Sequence, residues 1–464
     1  MGIGNAFSTA LSGLNAYSQQ IGYISDNLAN TSTVGFKRVD ANFQSYVTSS
    51  NANNYSPGGV AVQPSYRNTV AGQVSSTSVA TNFAISGGNG FAPVKNASST
   101  TNGTVNTSQS PQLYTRGCDF SVDSNGYLVN SSGQYLQGLK ETTAFSTPAG
   151  STIPNTPSMG NLESVRVDPT TYKSMAGAAS TTIGINDNFP ASLTANATIP
   201  TTTAQATSQV QFYDSLGTVQ TLQLTYPKTA TGAWNIVNAS IPSDSAASVT
   251  LNGVTYANGA ADSDSGAQVV FDSNGALSSV TNGSTTLAAG HLGLDFSVSG
   301  LSDGSTAATS QTVSLDYGTT TTGTTQYSGS SLEVRSTSDT TGHASGEYQS
   351  ASIDKDGYVV FSYSNGLTAK PYRIPLVTFN NANGLERVTG STFSGNDTQA
   401  GSPVARWAGE GDAGTITPSA TEASNVDIAD ELTAMIVAQR AYSANGKVIT
   451  TTDEMIKETL NLKQ

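Results

Sequence analysis

The spacing of apolar residues at the start of the chain predicts a long amphipathic helix. Apolar side chains recur at alternating intervals of four and three residues, which aligns them on one side of a helix in the manner of a coiled-coil seam. Asn27, Asn30, Thr31 and Gly35 then supply residue types that end helices. We therefore predict one helix, whose apolar seam is formed by Ile3, Phe7, Ala10, Leu14, Tyr17, Ile21, Ile24 and Leu28.

The end of the chain carries a second pattern with the same spacing. Ser424 or Asn425 is the predicted N-cap of this helix, and acidic residues in its first turn suit the positive end of a helix dipole. The seam positions are Ile428, Leu432, Met435, Tyr442, Ile449, Ile456 and Leu460, with polar or small interruptions at Gln439, Gly446 and Asp453. Such a helix is a poor independent structure, so its seam requires a partner, and the N-terminal seam is the candidate.

Between the two ends, short runs of alternating residues replace the helical spacing. In the run 219–226, Leu222, Leu224 and Tyr226 share one face, and clusters of Gly, Asn, Asp and Ser separate such runs as they do in antiparallel β domains. Two stretches of nearly pure Ser, Thr, Asn and Gly, 96–111 and 318–331, are predicted to be loops or flexible connections.

The predicted fold class is mixed, with paired terminal helices and nested antiparallel β domains of barrel or sandwich type inserted between them. The helical pair either closes as a hairpin within one chain or packs against copies of itself, and its weakly charged outer faces favour the second arrangement. The predicted domains are a terminal helical polymerisation domain (1–35 with 424–464), extended connecting segments (36–75 with 405–423), an inner β domain (76–165 with 316–404) and an outer β domain (166–315).

Composition and charge exclude several functions. The chain has 464 residues and a formal net charge of -13, which argues against a nucleic-acid-binding surface. Its one cysteine and two distant histidines exclude an internal disulfide and make a metal centre or catalytic triad improbable. We expect no catalytic, cofactor or metal site. No apolar run reaches the length of a membrane span, and the first basic residue is Lys37, so no cleavable secretory signal is expected.

Two kinds of candidate chemical group have simpler structural interpretations. Asp123, Asp272 and Asp354 each begin an Asp-x-Asn/Asp-Gly segment that resembles part of a calcium loop but lacks its later glutamate. These segments are predicted to be hairpin turns. Cys118 has no histidine near it in sequence, which favours a half-buried small residue in a β turn over a nucleophile.

Several segments carry motifs in addition to the helical and strand patterns. They are 29–37 after the first helix, 422–427 and 436–442 around the second, and 84–91, 114–116 and 126–128 between them. These segments resemble the bacterial flagellar rod and hook proteins, a family of axial proteins. The motif 211–217 and the segments 352–357 and 363–366 resemble the outer domain and body of the hook branch, which the chain length also favours. The family-motif positions are Asn30, Gly35, Phe36, Asn425, Gln439 and Arg440.

This resemblance implies a structural subunit of the flagellar hook, exported by the flagellar type III apparatus without a cleaved signal. Such subunits assemble into a flexible helical tube, a universal joint between rod and filament, in the extracellular hook and basal body. The implied partners are copies of the chain, the distal rod protein, the hook cap, the hook-filament junction proteins and the export apparatus, with no cofactor, nucleic acid or membrane insertion.

Three alternatives stay open at this point. A rod subunit lacks the outer-domain motif 211–217. A secreted β-rich adhesin explains the composition but not the two terminal seams. A carbohydrate-active enzyme would need paired carboxylates near an aromatic platform, and neither Trp234 nor Trp407 has an evident acid pair.

Overall fold

The computed structural model describes most of the chain. The described residues are 3–47, 57–101, 104–140, 156–167, 172–195, 206–257, 266–282, 285–287, 293–302, 310–319, 322–329, 337–339, 341–395 and 398–461. Two long helices stand at the ends of a β-rich chain, α1 at Ile3–Ala29 and α2 at Ile428–Asn461. The predicted fold class of terminal helices around antiparallel β structure is therefore confirmed. Among the described residues, no helix is long and apolar enough to cross a membrane.

The chain forms two compact units. The first comprises Met1–Tyr172, Gln349–Ser362 and Thr368–Gln464, and the second comprises Lys173–Tyr348 and Tyr363–Leu367. This division differs from the predicted boundary at residue 315, because residues 316–348 belong to the second unit. There, Thr325–Tyr327 pairs with Asn188–Pro190 in parallel. The other predicted domain boundaries stay predictions.

The two helices lie side by side in the first unit and run antiparallel. Asn27 of α1 contacts Glu431 of α2, and a Cβ added at Gly13 would lie 3.1 Å from Asn445 Oδ1. The two contacts are equally spaced along both helices, which gives the pair a constant antiparallel register.

α2 begins one residue after its N-cap, Asp427, whose Oδ1 accepts from Ala429 N at 2.8 Å. The predicted N-cap at Ser424 or Asn425 was therefore wrong, since Asp427 already supplies the acceptor.

A long antiparallel hairpin packs against α1. Its strands are β1 (Val39–Val47) and β2 (Pro57–Tyr66). The ring of Tyr17 lies 5.2 Å from that of Phe43, and Ser12 Oγ accepts from Val60 N at 3.2 Å. Tyr17 of the predicted seam therefore packs against the hairpin.

The β body of the first unit is built on one large sheet with its own aromatic core. Phe91 contacts Phe379 and Phe393 edge to face, and Tyr114 contacts Phe379 in the same way. The strands in sheet order are Gly346–Ile353, Tyr358–Tyr363, Thr368–Arg373, Tyr135–Lys140, Ala92–Lys95, Leu113–Thr115, Thr392–Ser394 and Glu386–Thr389, with Phe120–Val122, Leu128–Asn130 and Leu162–Ser164 paired beside this path. Four two-stranded pairs complete the body: Val74–Ser76 with Ala420–Glu422, Phe83–Ser86 with Thr415–Pro418, Leu376–Thr378 with Val404–Arg406, and Ser99–Thr101 with Thr104–Asn106. Short 3-10 turns lie at Met159–Asn161 and Ala382–Gly384.

The second unit buries one continuous apolar core. Leu222, Leu224 and Tyr226 are fully buried, as their alternation predicts, and Phe189 contacts the rings of Tyr226 and Trp234. Among the described residues, three larger sheets surround this core, together with the pair Asn188–Pro190 and Thr325–Tyr327. Their strands in order are Val254–Ala257, Ser248–Leu251, Gly293–Ser299, Gln311–Asp316, Thr182–Ile185 and Thr337–Asp339; Lys228–Ala230, Ala233–Asn235, Ala267–Phe271, Leu277–Asn282 and Thr285–Leu287; and Thr207–Tyr213, Val219–Thr225 and Asn238–Ser240. Ser174–Met175 pairs with residues 346 and 347.

The polar stretches predicted to be loops contain strands. Residues 96–111 include the hairpin Ser99–Thr101 with Thr104–Asn106, and residues 318–331 include the strand Thr325–Tyr327. Backbone pairing outweighs composition here, because the β-branched residues Thr and Val in these segments suit strands.

The Asp-x-Asn/Asp-Gly segments are hairpin turns, as predicted. Asp123 Oδ1 accepts from Asn125 N at 2.9 Å and from Tyr127 N at 2.8 Å, while the glycine takes a φ of +81°. Asp272 and Asp354 make the same two bonds, and Asp214 repeats them in a fourth turn. In each turn, one carboxylate oxygen is therefore engaged by the backbone of its own turn.

Candidate assembly interface

α2 carries exposed apolar side chains in two rows. Ile428, Leu432 and Ile436 follow one another at four-residue intervals and are each about half exposed. Val437, Val448 and Met455 form the second row, in which Val437 is 61% exposed. At about 100° per residue, Leu432 and Val437 point about 140° apart around the helix axis. α2 therefore presents two separate apolar faces.

The predicted seam of α2 is largely part of this exposed surface. Tyr442, Ile456 and Leu460 are exposed together with Ile428 and Leu432, whereas Met435 and Ile449 are half-buried. Instead of the seam, the residues buried against α1 lie on a neighbouring line of the helix at heptad spacing, namely Glu431, Ala438 and Thr452. The contact between α1 and α2 is therefore not made by the two predicted seams alone.

The predicted seam of α1 is more covered than that of α2. Ile24 is buried, Leu14, Tyr17, Ile21 and Leu28 are half-buried, and Phe7 is exposed. The side chain of Ile3 lies outside the described part of the chain. The most deeply buried positions of α1 include Ala10, Ala16, Ile24 and Asn27, of which only Ile24 is a large apolar residue.

The segments after α1 and before α2 meet at one buried junction, which includes the family-motif position Gly35. We define the junction as Gly35, Lys37, Gly72, Arg116 and Glu422. Gly35 N donates to the main-chain oxygen of Glu422 at 2.7 Å. Gly35 has a φ of +69°, and a Cβ there would lie 2.3 Å from Gly117 N. Only glycine fits this approach of the N-terminal segment to the β body.

A buried carboxylate holds the centre of the junction. Glu422 forms an ion pair with Lys37, and its Oε2 accepts from Arg116 Nη1 at 3.1 Å. Gly72 N donates to Oε1 at 2.8 Å. All three charged side chains are at most 1% exposed. Burial lowers the pKa of Lys37 below its ordinary value, an effect that the Glu422 charge opposes.

Other donors of the junction reach main-chain oxygens, while the buried Arg116 Nε has no hydrogen-bond partner among the described residues. Lys37 Nζ donates to Val70 O at 2.8 Å, and Arg116 donates to Ile85 O at 3.2 Å and to Gly88 O at 2.5 Å. Arg116 also lies over the ring of Phe91, 5.2 Å from its centroid. The charges are therefore paired and hydrogen-bonded, as buried charges must be.

Asn425 and Phe36 belong to the same region. Asn425 Oδ1 accepts from Arg38 N at 2.7 Å, and its Nδ2 donates to Val70 O at 3.0 Å. Phe36 is buried under the guanidinium of Arg387, which lies 4.3 Å from the ring centroid. Together these contacts tie the entry of α2 to the exit of α1.

The other family-motif positions lie elsewhere. Asn30 ends α1, where its Nδ2 donates to Asp26 O at 2.9 Å and its Oδ1 accepts from Thr33 Oγ1 at 3.1 Å. Gln439 and Arg440 are exposed on α2. The structure does not bring these two residues to the junction.

The sequence interpretation did not single out Lys37, Arg116 or Glu422 as a set. A signal was present, because charged residues make up only 11% of the chain and each of these three stands inside a family-like segment. Sequence separations of 306 and 385 residues from Glu422 hide their proximity.

Groups that could support chemistry are buried or dispersed. Cys118 is fully buried, and burial raises its pKa well above the ordinary value, so its thiol is unreactive in the folded chain. His343 is also buried, and His291 lies outside the described residues. Within the described ranges, no three His, Cys, Asp or Glu side chains come together as a metal site would require.

The fold and its exposed helical faces define a β-rich protein carried between paired terminal helices, the architecture that the resemblance to axial proteins implies. Three family models match the chain: the flagella basal body rod protein at residues 7–37, the flagellar basal body protein FlaE D2 domain at 185–358 and the flagellar basal body rod FlgEFG protein C-terminal at 417–462.

Full-length relatives define the family more closely. The chain is 31% identical to the flagellar hook protein FlgE of Rhizobium meliloti, with 100% of both chains covered. It is 30% identical to that of Brucella suis, with 98% of each covered, and 29% identical to that of Escherichia coli, with 99% and 100% covered. A solved chain of the Helicobacter pylori flagellar hook protein FlgE2 matches at 14% identity and a TM-score of 0.37, over 75% of this chain and 99% of that one. This chain belongs to the flagellar hook protein FlgE family.

Proposed function

We propose that this chain is a structural subunit of the bacterial flagellar hook, which polymerises through its paired terminal helices. The observation that carries the proposal is the pair of exposed apolar rows on α2, Ile428–Leu432–Ile436 and Val437–Val448–Met455. The full-length similarity to hook proteins favours this role over a rod subunit or an adhesin. The role is structural rather than catalytic.

Two separate apolar faces favour an open polymer over a closed dimer. A single self-complementary patch closes a two-fold dimer, whereas two different patches allow each copy to contact one neighbour on each side. Burial of the exposed side chains contributes roughly 25 cal/mol per Å² of apolar area removed from water. Both faces are exposed to water in the single chain. Assembly would bury them, and the free energy of that burial would stabilise the polymer.

The finer parts of the proposal rest on the family resemblance. The terminal helical domain, 1–35 with 424–464, forms the inner wall of a tube, while the β domains stack outward and allow bending. The chain is exported by the flagellar type III apparatus without a cleaved signal, and it meets the distal rod protein, hook cap and hook-filament junction proteins in the extracellular hook. The predicted seam and family-motif residues are the proposed contacts of this assembly.

Sedimentation and negative-stain electron microscopy of the purified full chain test the proposal. We expect long tubes above a critical concentration. A chain that lacks 428–464 should keep a folded β body but sediment as a small species, because it lacks both apolar rows. Tubes from the truncated chain, or no polymer from the full chain under any assembling condition, would contradict the proposal.

A further inference from the structure

The buried junction is where both helices leave the β body. Glu422 lies in the strand Ala420–Glu422, which pairs with Val74–Ser76. Its main-chain oxygen holds Gly35, a few residues beyond the end of α1, and α2 begins six residues after it. The segment that follows α1 and the segment that precedes α2 are therefore both held by Glu422, through its backbone and its side chain.

The close approach of three chain segments makes the junction a rigid connection. A Cβ at Gly72 would lie 1.9 Å from Ala423 O, and a Cβ at Gly35 would lie 2.3 Å from Gly117 N. Side chains are therefore excluded at both positions. The segments after α1, after the hairpin and before α2 thus meet backbone to backbone around the Glu422 carboxylate.

The charges at the junction explain why the carboxylate has a role beyond packing. Two cations, Lys37 and Arg116, share one anion in a site closed to water. Loss of the Glu422 charge would leave two buried cations facing one another without compensation. It would also deprive Gly72 N of its acceptor. The segments that carry the helices would then separate.

The apolar cores named above are built from side chains other than Glu422. The β body is held by the aromatic group of Phe91, Tyr114, Phe379 and Phe393, and the second unit by its own core. Neither core includes Glu422. A change at this residue can therefore alter the helices while leaving both cores in place.

We propose that Glu422 is a positioning residue for assembly: through Lys37, Gly72 and Arg116 it fixes where the two terminal helices leave the β body, so that their apolar faces reach neighbouring copies in one geometry. This inference rests on the proposed function. It adds that polymerisation requires the two ends of the chain to be joined at the junction, in addition to the exposed apolar faces themselves.

The first test compares Glu422→Gln with Glu386→Gln, a matched loss of one negative charge at an exposed strand position of the same unit. In the full chain, we expect Glu422→Gln to raise the critical concentration for tubes by about tenfold or more, the effect of one misplaced contact. Glu386→Gln should assemble as the parent chain does.

Labelling of Cys118 reports opening of the junction. This residue follows Arg116 and Gly117 in sequence and is fully buried, so its thiol should be labelled faster in Glu422→Gln than in the parent chain.

A second variant separates positioning from general stability. Lys37→Met combined with Glu422→Gln returns the buried formal charge to that of the parent, so we expect its melting temperature to recover. Assembly should stay impaired, because the amide NH₂ of Gln would face a donor from Gly72 or Arg116. This comparison stays decisive even if Glu422→Gln alone fails to fold.

The outcomes are distinguishable from failure of the proposed function. If the parent chain forms no tubes, the proposed function fails. If the parent forms tubes and Glu422→Gln forms them at the same concentration, the positioning role is wrong while the proposed function stands. Recovery of both melting and assembly in the double variant would also overturn it, because charge balance alone would then explain the effect.

Discussion

Asn27 and Glu431 are 404 residues apart in sequence, yet Asn27 Nδ2 donates to Glu431 Oε1 at 3.2 Å inside the helix pair. Asn27 also exchanges two hydrogen bonds with the backbone of Val39, of 2.9 and 3.0 Å. One buried amide therefore joins α1 to α2 and to the first strand of the hairpin. A buried polar contact of this kind specifies register, since sliding either helix would leave it unpaired.

Replacement of Asn27 should loosen the helix pair. In Asn27→Leu, the backbone groups of Val39 and the carboxylate of Glu431 lose their partner, which should cost about 1–3 kcal/mol in stability of the first unit. Denaturant unfolding measures the cost, and amide exchange along α2 locates it. Asn15→Leu, at an exposed position of α1, is the matched control. Equal losses in both variants would mean that Asn27 has no special role.

Glu431 should make the helix pair sensitive to pH. Burial raises the pKa of its carboxyl above the ordinary 4.5, while the Asn27 hydrogen bond and Arg38 partly oppose the shift and Asp40 and Asp430 add to it. The folded chain therefore binds this proton more tightly than the unfolded chain does. Its contribution to stability is greatest below pH 4.5 and falls as the pH rises from there through the raised folded pKa.

Glu431→Gln tests this dependence, because the amide cannot ionise. The free energy of unfolding of the parent minus that of the variant should decline as the pH rises from 4.5 through the folded pKa of Glu431. Above that pKa the difference should be constant. Amide exchange of α2 at several pH values measures the difference. A difference that is constant with pH, or that increases, would contradict the assignment.

Neighbouring residues of α2 should have opposite effects on folding and assembly. Val437 is 61% exposed and Ala438 is 0% exposed. Val437→Asp should leave the monomer's melting temperature nearly unchanged and abolish tubes, because a carboxylate would enter an apolar contact between copies. Ala438→Leu should instead destabilise the helix pair by about 1–3 kcal/mol through overpacking.

Circular-dichroism melting of the monomer and sedimentation of the assembly separate these effects. A Val437→Asp chain that polymerises normally would remove this row from the proposed interface. An Ala438→Leu chain with parent-like melting would mean that the helices do not pack closely at this position.

Two buried tyrosines should make the second unit sensitive to alkali. Tyr226 and Tyr317 are fully buried and their hydroxyls lie 3.0 Å apart. Burial is the main cause that raises the pKa of both phenols above the ordinary 10.0. The folded unit therefore keeps these protons longer than the unfolded chain, and its stability falls as the pH rises above 10.

Tyrosinate absorbance and Trp234 fluorescence during an alkaline titration measure this effect. Both phenols should ionise only together with unfolding of the second unit. Tyr317→Phe should weaken the pH dependence, although it leaves Tyr226 without this partner. Ionisation of both groups in a folded unit would contradict the prediction.

The sequence was informative wherever structure depends on nearby residues. The intervals of four and three residues identified both helices, and the alternation in 219–226 identified the buried face of a strand. The Asp-x-Asn/Asp-Gly segments became turns because the aspartate bonds to its own backbone and glycine accepts positive φ. Composition alone was misleading in the stretches 96–111 and 318–331. The first stretch forms a local hairpin, whereas the strand in the second pairs with the distant residues 188–190.

The family-like segments likewise identified the class of protein, since both ends carry their own local signatures. The structural role of each motif residue could not be predicted from the sequence. Gly35, Phe36 and Asn425 lie at or beside the junction, whereas Gln439 and Arg440 lie on an exposed helix face. A motif names residues that occur together in sequence, but it does not say which of them touch.

Tertiary structure alone decided which helix face is buried and which charges are paired. Spacing gives the angle between side chains on one helix, but the element that packs against the helix determines which face is buried. In α2, Ala438 and Glu431 are covered, whereas Leu432 and Val437 are exposed to water. Likewise, Glu422 meets Lys37 and Arg116 only because pairing of strands from both halves of the chain brings them together. Local spacing determines the elements, whereas the burial of particular side chains depends on contacts between residues hundreds of positions apart.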